Sequence, residues 1–312
     1  MKKMTNAVYL EGRLYQHNLE LRVSGDNSKN PGTQYIRGTI DIATDDKIEN
    51  IVTVHYTYEA PTFSSGSKNS KFETLKGIID GKYLTVMNDG ADVATKVRVS
   101  SSIGLNDFYS ARDKDENGEP KLVSGKRNDG GFITVLAALK DEKLRNTFDT
   151  DIVITGFTTK EADEEKGYPE KGIIRGAIFD FRGNVLPVSF SVLDPKAIAY
   201  FEGLDASGSN PVFTRIKGKE VNASIKKIVT VEGAFGDEVH ESVSNNRDWV
   251  VTWAARELYE FDSEETLTKA ELAEALKARE TMLAELKGRF DESQKNKSAA
   301  TPATASGTTF DF

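Results

Sequence analysis

The chain has 312 residues, 38% of them hydrophobic, and a formal net charge of −8, so it is long enough for two domains of ordinary size. The absence of cysteine excludes disulfides and thiolate metal sites, and the absence of any apolar run of membrane-spanning length predicts no membrane contact. The first 150 residues hold 21 of the 41 basic and 21 of the 49 acidic residues, so the acidic excess lies entirely in the remainder.

Short segments with period-2 alternation predict a first set of five strands. In the clearest of them, 35–42, the side chains of Ile36, Ile40 and Ile42 fall on one face. A short helix is predicted at 72–79, between the third and fourth strands. The five strands are predicted at 7–12, 35–42, 51–58, 96–99 and 132–135.

A second set of strands follows in the same order, which we interpret as a duplication. Its clearest sign is the segment Ile36-Arg37-Gly38-Thr39-Ile40, which is echoed by Ile174-Arg175-Gly176-Ala177-Ile178. Five strands with an intervening short helix are typical of the OB fold, a small barrel that binds oligonucleotides. The alternative is that two unrelated β domains look alike at this level. The second strands are predicted at 151–156, 172–179, 185–192, 224–231 and 249–253, with a helical segment at 197–201.

The predicted fold class is therefore mainly β, with two OB-like five-stranded barrels in tandem at 1–145 and 146–262. Thr268 and Glu271 form a capping box that starts an amphipathic helix, assigned to 263–290. The residues 291–312 are rich in Ser, Ala, Thr and Lys, which predicts a flexible tail. The apolar face of the helix is predicted to contain Leu272, Leu276, Leu283, Leu286 and Phe290.

Motifs that carry catalysis are absent from the sequence. The histidines His17, His55 and His240 have no second histidine at helical metal-binding spacing. There is no Walker loop, no Gly-x-Ser-x-Gly and no Gly-x-Gly-x-x-Gly after a strand. We therefore expect no catalytic residue, no metal and no cofactor, and a protein that is not an enzyme.

Aromatic side chains interleaved with cations predict an interface for single-stranded nucleic acid, in which rings stack on bases and cations contact phosphates. A flexible basic loop at 64–71 follows the third strand, and the Gly-rich segment 113–131 is predicted to be a β-hairpin finger. The alternatives are core packing for each ring and a solvated surface for each charged loop. The predicted stacking residues are Tyr56, Tyr58, Phe63 and Phe72. The predicted cationic contacts are Arg13, Arg22, Arg37, Lys68, Lys71, Lys126 and Arg127.

The opening segment Asn6-Ala7-Val8-Tyr9-Leu10-Glu11-Gly12-Arg13-Leu14, followed by Asn18-Leu19-Glu20-Leu21-Arg22, resembles the start of bacterial single-stranded DNA-binding proteins. The resemblance implies an OB fold and single-stranded DNA as the partner. In that family a flexible tail ends in acids and a phenylalanine and docks replication and repair proteins, which implies a partner-binding role for Phe310, Asp311 and Phe312. The chain departs from the family in having two units and a single acid at its tip, which a bacteriophage version would explain.

The leading hypothesis is a cytoplasmic protein, in a bacterial or phage-infected cell, that coats single-stranded DNA without strong sequence preference during replication, recombination or repair. The alternative is a structural β-rich virion or tail protein without nucleic-acid binding. A nucleic-acid enzyme would need a clustered acidic metal site. The oligomeric state and the choice between DNA and RNA stay open, and the first half is expected to hold most of the affinity.

Overall fold

The computed structural model describes residues 4–162, 170–231, 238–263 and 266–299. Eleven strands in these ranges pair into one sheet. The strands are β1 (Asn6–His17), β2 (Glu20–Val23), β3 (Gln34–Ala43), β4 (Ile51–Glu59), β5 (Lys96–Lys114), β6 (Pro120–Leu136), β7 (Asn146–Lys160), β8 (Lys171–Phe179), β9 (Val185–Val192), β10 (Val212–Val231) and β11 (Glu238–Ala254). The helices are α1 (Ser70–Ile79), α2 (Val86–Asp89), α3 (Pro195–Gly203) and α4 (Lys269–Ala299), with a 3₁₀ turn at Glu142–Leu144.

The first barrel is a ring in the order β1-β3-β4-β6-β5, which returns to β1. Every pairing in the ring is antiparallel except β4 with β6, where Val54 lies opposite Asn128. Helix α1 lies between β4 and β5, which are the third and fourth strands of the ring in chain order. Strand β2 pairs with β3 at the rim. A partly open five-stranded ring of this kind is the OB fold.

The second barrel repeats the arrangement in the order β7-β8-β9-β11-β10, which returns to β7. Its one parallel pairing joins Ser191 of β9 to Val250 of β11, and α3 occupies the place of α1. The predicted mainly β fold with two tandem OB-like barrels is therefore confirmed. Strand β2 and helix α2 were not predicted, and β10 begins well before the predicted segment at 224.

The two barrels are joined by pairing of β1 with β7, from Asn6 opposite Thr150 to Leu10 opposite Asn146. Hydrophobic residues of both barrels form one continuous cluster. Within it Phe148 stacks on Phe190 at 5.1 Å between ring centroids and lies 5.5 Å from Trp249. The barrels therefore share a core.

A buried polar layer also lies between the barrels, around Glu220 of β10. Its carboxylate accepts a hydrogen bond of 2.8 Å from Asn128 Nδ2 of β6, while Asn146 and Asn50 donate to its backbone oxygen. Burial raises the pKa of Glu220, although Arg247 lies 3.7 Å from its other carboxylate oxygen. These contacts fix the orientation of the barrels by hydrogen bonding, because a polar group buried without a partner is costly.

Helix α4 starts as predicted, since Glu271 N donates to Thr268 Oγ1 and Thr268 N donates to the Glu271 carboxylate. It then runs to Ala299, so the prediction of a flexible tail from residue 291 is wrong over 291–299. Leu276 is exposed rather than part of the contact face. The predicted docking tip, Phe310 to Phe312, lies outside the described residues. None of the described helices is long and apolar enough to cross a membrane.

Candidate nucleic-acid interface

The outer surface of β3 and β4, here called the β3–β4 face, carries a stacked pair of aromatic rings, one exposed and one half-buried. Tyr35 of β3 and Tyr58 of β4 stack with their centroids 4.6 Å apart and their planes inclined by 24°. Tyr58 is 44% exposed, and its hydroxyl lies 3.5 Å from that of Ser24. Two parallel rings at the surface of an OB barrel can accept nucleobases by stacking.

A β-bulge turns Tyr58 outward. Ile36 pairs with Glu59 and Gly38 pairs with Tyr56, so β4 has one more residue than β3 in this interval. Val54 and Tyr56 point into the core, whereas the residues after Tyr56 change phase. Bulges re-aim side chains in this way and occur beside functional sites.

Gly38 allows the chain before β2 to cross β3 closely. It has φ +128°, and a Cβ at this position would lie 2.5 Å from the backbone oxygen of Asn18. The Asn18 side chain in turn accepts hydrogen bonds from the N–H and hydroxyl of Thr39. The glycine of the Ile-Arg-Gly echo therefore sets the border of the β3–β4 face.

Three of the predicted cations lie on or near this face. Arg37 projects from β3, is exposed and has no ion-pair partner within the described residues. Arg22 of β2 lies opposite Tyr35 and is paired with Glu20 at 2.6 Å. Lys68, in the loop before α1, is 74% exposed at its side chain and lies 3.6 Å from Glu73. Exposed pairs of this kind are weak, so phosphates can compete for these cations.

Two predicted stacking residues are core residues instead. Tyr56 is 3% exposed, and Phe72 of α1 is also buried in the shared core. Burial raises the pKa of the Tyr56 hydroxyl, which finds no hydrogen-bond partner within the described residues. Neither ring can offer a face to a base, so the prediction of stacking on Tyr56 and Phe72 is wrong.

Three other predicted cations are engaged elsewhere. Lys71 forms an ion pair of 2.7 Å with Glu59, and both side chains are largely buried. Arg13 lies 3.6 Å from Asp46, and Arg127 lies 2.6 Å from Asp129. These contacts give each guanidinium or ammonium group a structural partner, so their assignment to phosphate contact is not supported by the geometry.

Lys126 lies at the junction of the barrels, away from the β3–β4 face. Its ammonium donates to the backbone oxygen of Ser189 and lies 4.8 Å from the ring centroid of Phe190 and 5.8 Å from that of Trp249. Burial lowers the pKa of Lys126 to about 8, although the negative charge of Asp248 acts to raise this pKa. Lys126 therefore holds the barrels together instead of facing a ligand.

Phe63 lies in the compact turn between β4 and α1. Its N–H donates to Ser67 O at 2.9 Å, and Gly66 N–H donates to Phe63 O at 2.8 Å. The ring is 40% exposed, and the assignment of Phe63 as a stacking residue stays a prediction.

The predicted finger is an antiparallel hairpin of β5 and β6 whose tip lies between Lys114 and Pro120. Helix α4 packs along it, with Arg279 3.1 Å from Asp107 and Phe290 6.0 Å from Tyr109 between ring centroids. The finger is therefore supported by the C-terminal helix.

Sequence reasoning missed Tyr35 and Arg175. Tyr35 lies on the same face of β3 as Arg37, opposite the buried Ile36, and this alternation was visible in the sequence. Arg175 occupies the position of Arg37 in the echo, is exposed, and donates to Thr158 Oγ1 at 3.2 Å.

Two five-stranded rings, each with a helix between the strands that come third and fourth in chain order, define a tandem OB-fold protein. The chain belongs to the YorF family, whose sequence profile matches residues 5–289. A crystal structure of a deletion mutant of the single-stranded DNA binding protein from Thermus aquaticus matches 84% of this chain and 99% of its own, with a TM-score of 0.45 and 12% identity. A comparison with curated proteins gave no significant match. The fold assignment therefore rests on the strand pairings of this chain.

Proposed function

We propose that this protein binds single-stranded DNA on the β3–β4 face, without strong sequence preference and without chemistry of its own. The observation that carries the proposal is the stack of the half-buried Tyr35 on the exposed Tyr58, beside Arg37, which has no ion-pair partner within the described residues. Ring stacking stabilises each bound base by about 1–3 kcal/mol whatever its identity, while cations supply the salt-dependent phosphate contacts.

The proposed binding mode places bases on Tyr58, Tyr35 and Phe63 and phosphates beside Arg37, Arg22 and Lys68. The exposed cations and rings of this set lie on β2, on β3, at the end of β4 and in the loop before α1. We further propose that the protein coats single strands during replication, recombination or repair in the cytoplasm of a bacterial or phage-infected cell.

The test is a fluorescence anisotropy titration of the full chain with an oligo-dT of about 30 nucleotides, longer than the site of one OB fold. We expect binding that weakens with salt, because each phosphate contact to a single strand contributes a slope of about −0.7 to log K against log salt. No binding at low salt would overturn the proposal, and a stable ring or fibre without DNA affinity would favour the structural alternative.

Matched variants locate the interface. Tyr58→Ala is expected to lose about 1–3 kcal/mol of binding free energy. Tyr9→Ala is the control, because Tyr9 is 49% exposed on the same barrel but lies on β1, opposite Ser100. Equal losses for the two variants would contradict the assignment of the β3–β4 face.

A further inference from the structure

Trp253, near the end of β11, is a large aromatic side chain turned to solvent by a β-bulge. Lys217 of β10 pairs with Trp253 and Gly218 pairs with Val251, so Thr252 is an extra residue in β11. Trp249 and Val251 are buried, and simple alternation would bury Trp253 with them, yet it is 48% exposed. The same device exposes Tyr58 on the first barrel.

Trp253 lines a groove of about 710 Å³ between α3 and the end of β11, here called the α3–β11 groove. Leu193 and Tyr200 line it as well and are exposed, and the Tyr200 hydroxyl donates to Ala255 O at 3.2 Å. The groove therefore offers two ring systems and an aliphatic wall, which is the surface that a flat nucleobase fits.

The charges at the rim of the α3–β11 groove are complementary to phosphate. Lys196 and Arg256 line the groove, are exposed and have no ion-pair partner within the described residues. Lys217 Nζ lies 5.1 Å from the Trp253 ring centroid, but it is paired with Asp149 at 3.2 Å and is not counted among the free cations. The carboxylate of Asp194 is occupied by the N–H groups of Lys196 and Ala197 at the start of α3. Unpaired cations beside exposed rings favour a nucleic acid over an apolar peptide.

Strand β11 connects the groove to the β3–β4 face. Arg247, earlier in β11, is exposed and lies 3.5 Å from Thr53 Oγ1 of β4. Trp253 follows six residues later, about 20 Å along the strand at ~3.3 Å per residue. One single strand of DNA can therefore follow β11 from the first barrel to the groove.

We infer that the α3–β11 groove is a second contact for the same single-stranded DNA, with a base stacked on Trp253 and phosphates held by Lys196 and Arg256. This inference rests on the proposed function and assigns the second barrel a direct part in it. The chain has two tryptophans, and Trp249 is 2% exposed and cannot stack on a base, so quenching of tryptophan emission by DNA reports on Trp253.

The experiment titrates the full chain with labelled oligo-dT of about 30 nucleotides and of about 8 nucleotides, which fit two barrels and one barrel respectively. For the long oligomer we expect quenching of tryptophan emission in the wild type, and about tenfold weaker binding without this quenching in Trp253→Leu. Trp253→Phe is expected to restore most of the affinity, since phenylalanine also stacks. For the short oligomer the Trp253→Leu variant is expected to bind as the wild type does.

Phe181→Leu is the control, because Phe181 is exposed on the same barrel, has Arg182 5.1 Å from its ring centroid, and lies outside the α3–β11 groove. If Trp253→Leu does not fold, the double variant Lys196→Ala/Arg256→Ala replaces it. The slope of log K against log salt should then become shallower by the amount that about one to two phosphate contacts contribute. Wild-type binding without quenching, with unchanged affinity in these variants, would overturn this inference alone. No binding of either oligomer by the wild type would overturn the proposed function together with it.

Discussion

The two barrels share one strand order but present different surfaces at corresponding positions. In the echoed segments, Gly38 lies opposite Tyr56 and Gly176 lies opposite Val188, and both of these partners are buried. Two residues further along, the first barrel exposes Tyr58, whereas the second buries Phe190. A duplicated fold therefore does not imply a duplicated binding face.

The difference arises from the β-bulge in β4, which turns Tyr58 outward, whereas β8 and β9 pair without a bulge and keep Phe190 turned inward. Phe190 packs against Phe148 and Trp249 of its own barrel, and Lys126 from the first barrel lies over the Phe190 and Trp249 rings. The corresponding ring of the first barrel, Tyr58, stacks on Tyr35 and remains 44% exposed. The comparison predicts that the two positions serve stability in one barrel and binding in the other.

The largest expected effect is on stability, from Phe190→Ala. Removal of a fully buried ring that stacks on Phe148 and meets Trp249 edge-on should lower the free energy of unfolding by about 3–5 kcal/mol. Tyr58→Ala, the control at the corresponding exposed position, should lower it by less than about 1 kcal/mol. Urea unfolding followed by circular dichroism measures both, and similar losses would contradict the asymmetry of the barrels.

The contact of Lys126 with the second barrel should make the free energy of unfolding depend on pH. Burial lowers the pKa of Lys126 from 10.5 to about 8, so between these values the unfolded chain binds more protons at this side chain than the folded protein does. The free energy of unfolding should therefore rise with pH in this window, by roughly 2 kcal/mol from pH 8 to pH 10, relative to Lys126→Met.

The measurement is urea unfolding of both proteins at several pH values between these limits. Asp248 and Glu220 favour the charged lysine and Lys171 opposes it, so the comparison is made with these residues unchanged. Lys121→Met removes an exposed lysine from the same hairpin and controls for the loss of one positive charge. Stability curves of wild type and Lys126→Met that stay parallel would show that Lys126 is solvated and does not cover the second barrel.

Most of the fold could be predicted from the sequence because strand alternation is a local signal. The buried Ile36, Ile40 and Ile42 alternate with polar residues, and the Ile-Arg-Gly echo identified corresponding strands of two rings. The predicted stacking role of Tyr56 was wrong. Tyr56 shares its strand phase with Val52 and Val54, and this alternation was already evidence that its ring is buried.

The exposed rings were harder to predict because bulges depend on the partner strand. Alternation alone would place Tyr58 with Tyr56 and Trp253 with Trp249, and only the pairing with β3 and β10 shows where the phase changes. The ion pair of Lys71 with Glu59 and the position of Lys126 depend likewise on contacts that a single sequence does not reveal.

The smallest expected effect compares the two arginines of the echo. Arg37→Gln should weaken binding of a short oligo-dT, one that fits a single OB fold, by about 1 kcal/mol and reduce the salt slope by about one phosphate contact. Arg175→Gln should have little effect on the same oligomer, because Arg175 lies beside Thr158 on a barrel whose neighbouring ring, Phe190, is buried. Fluorescence anisotropy at three salt concentrations measures both variants, and Arg289→Gln on α4 controls for the loss of an exposed arginine. An equal loss for Arg37→Gln and Arg175→Gln would mean that the barrels bind alike, and that burial of Phe190 does not decide which face receives DNA.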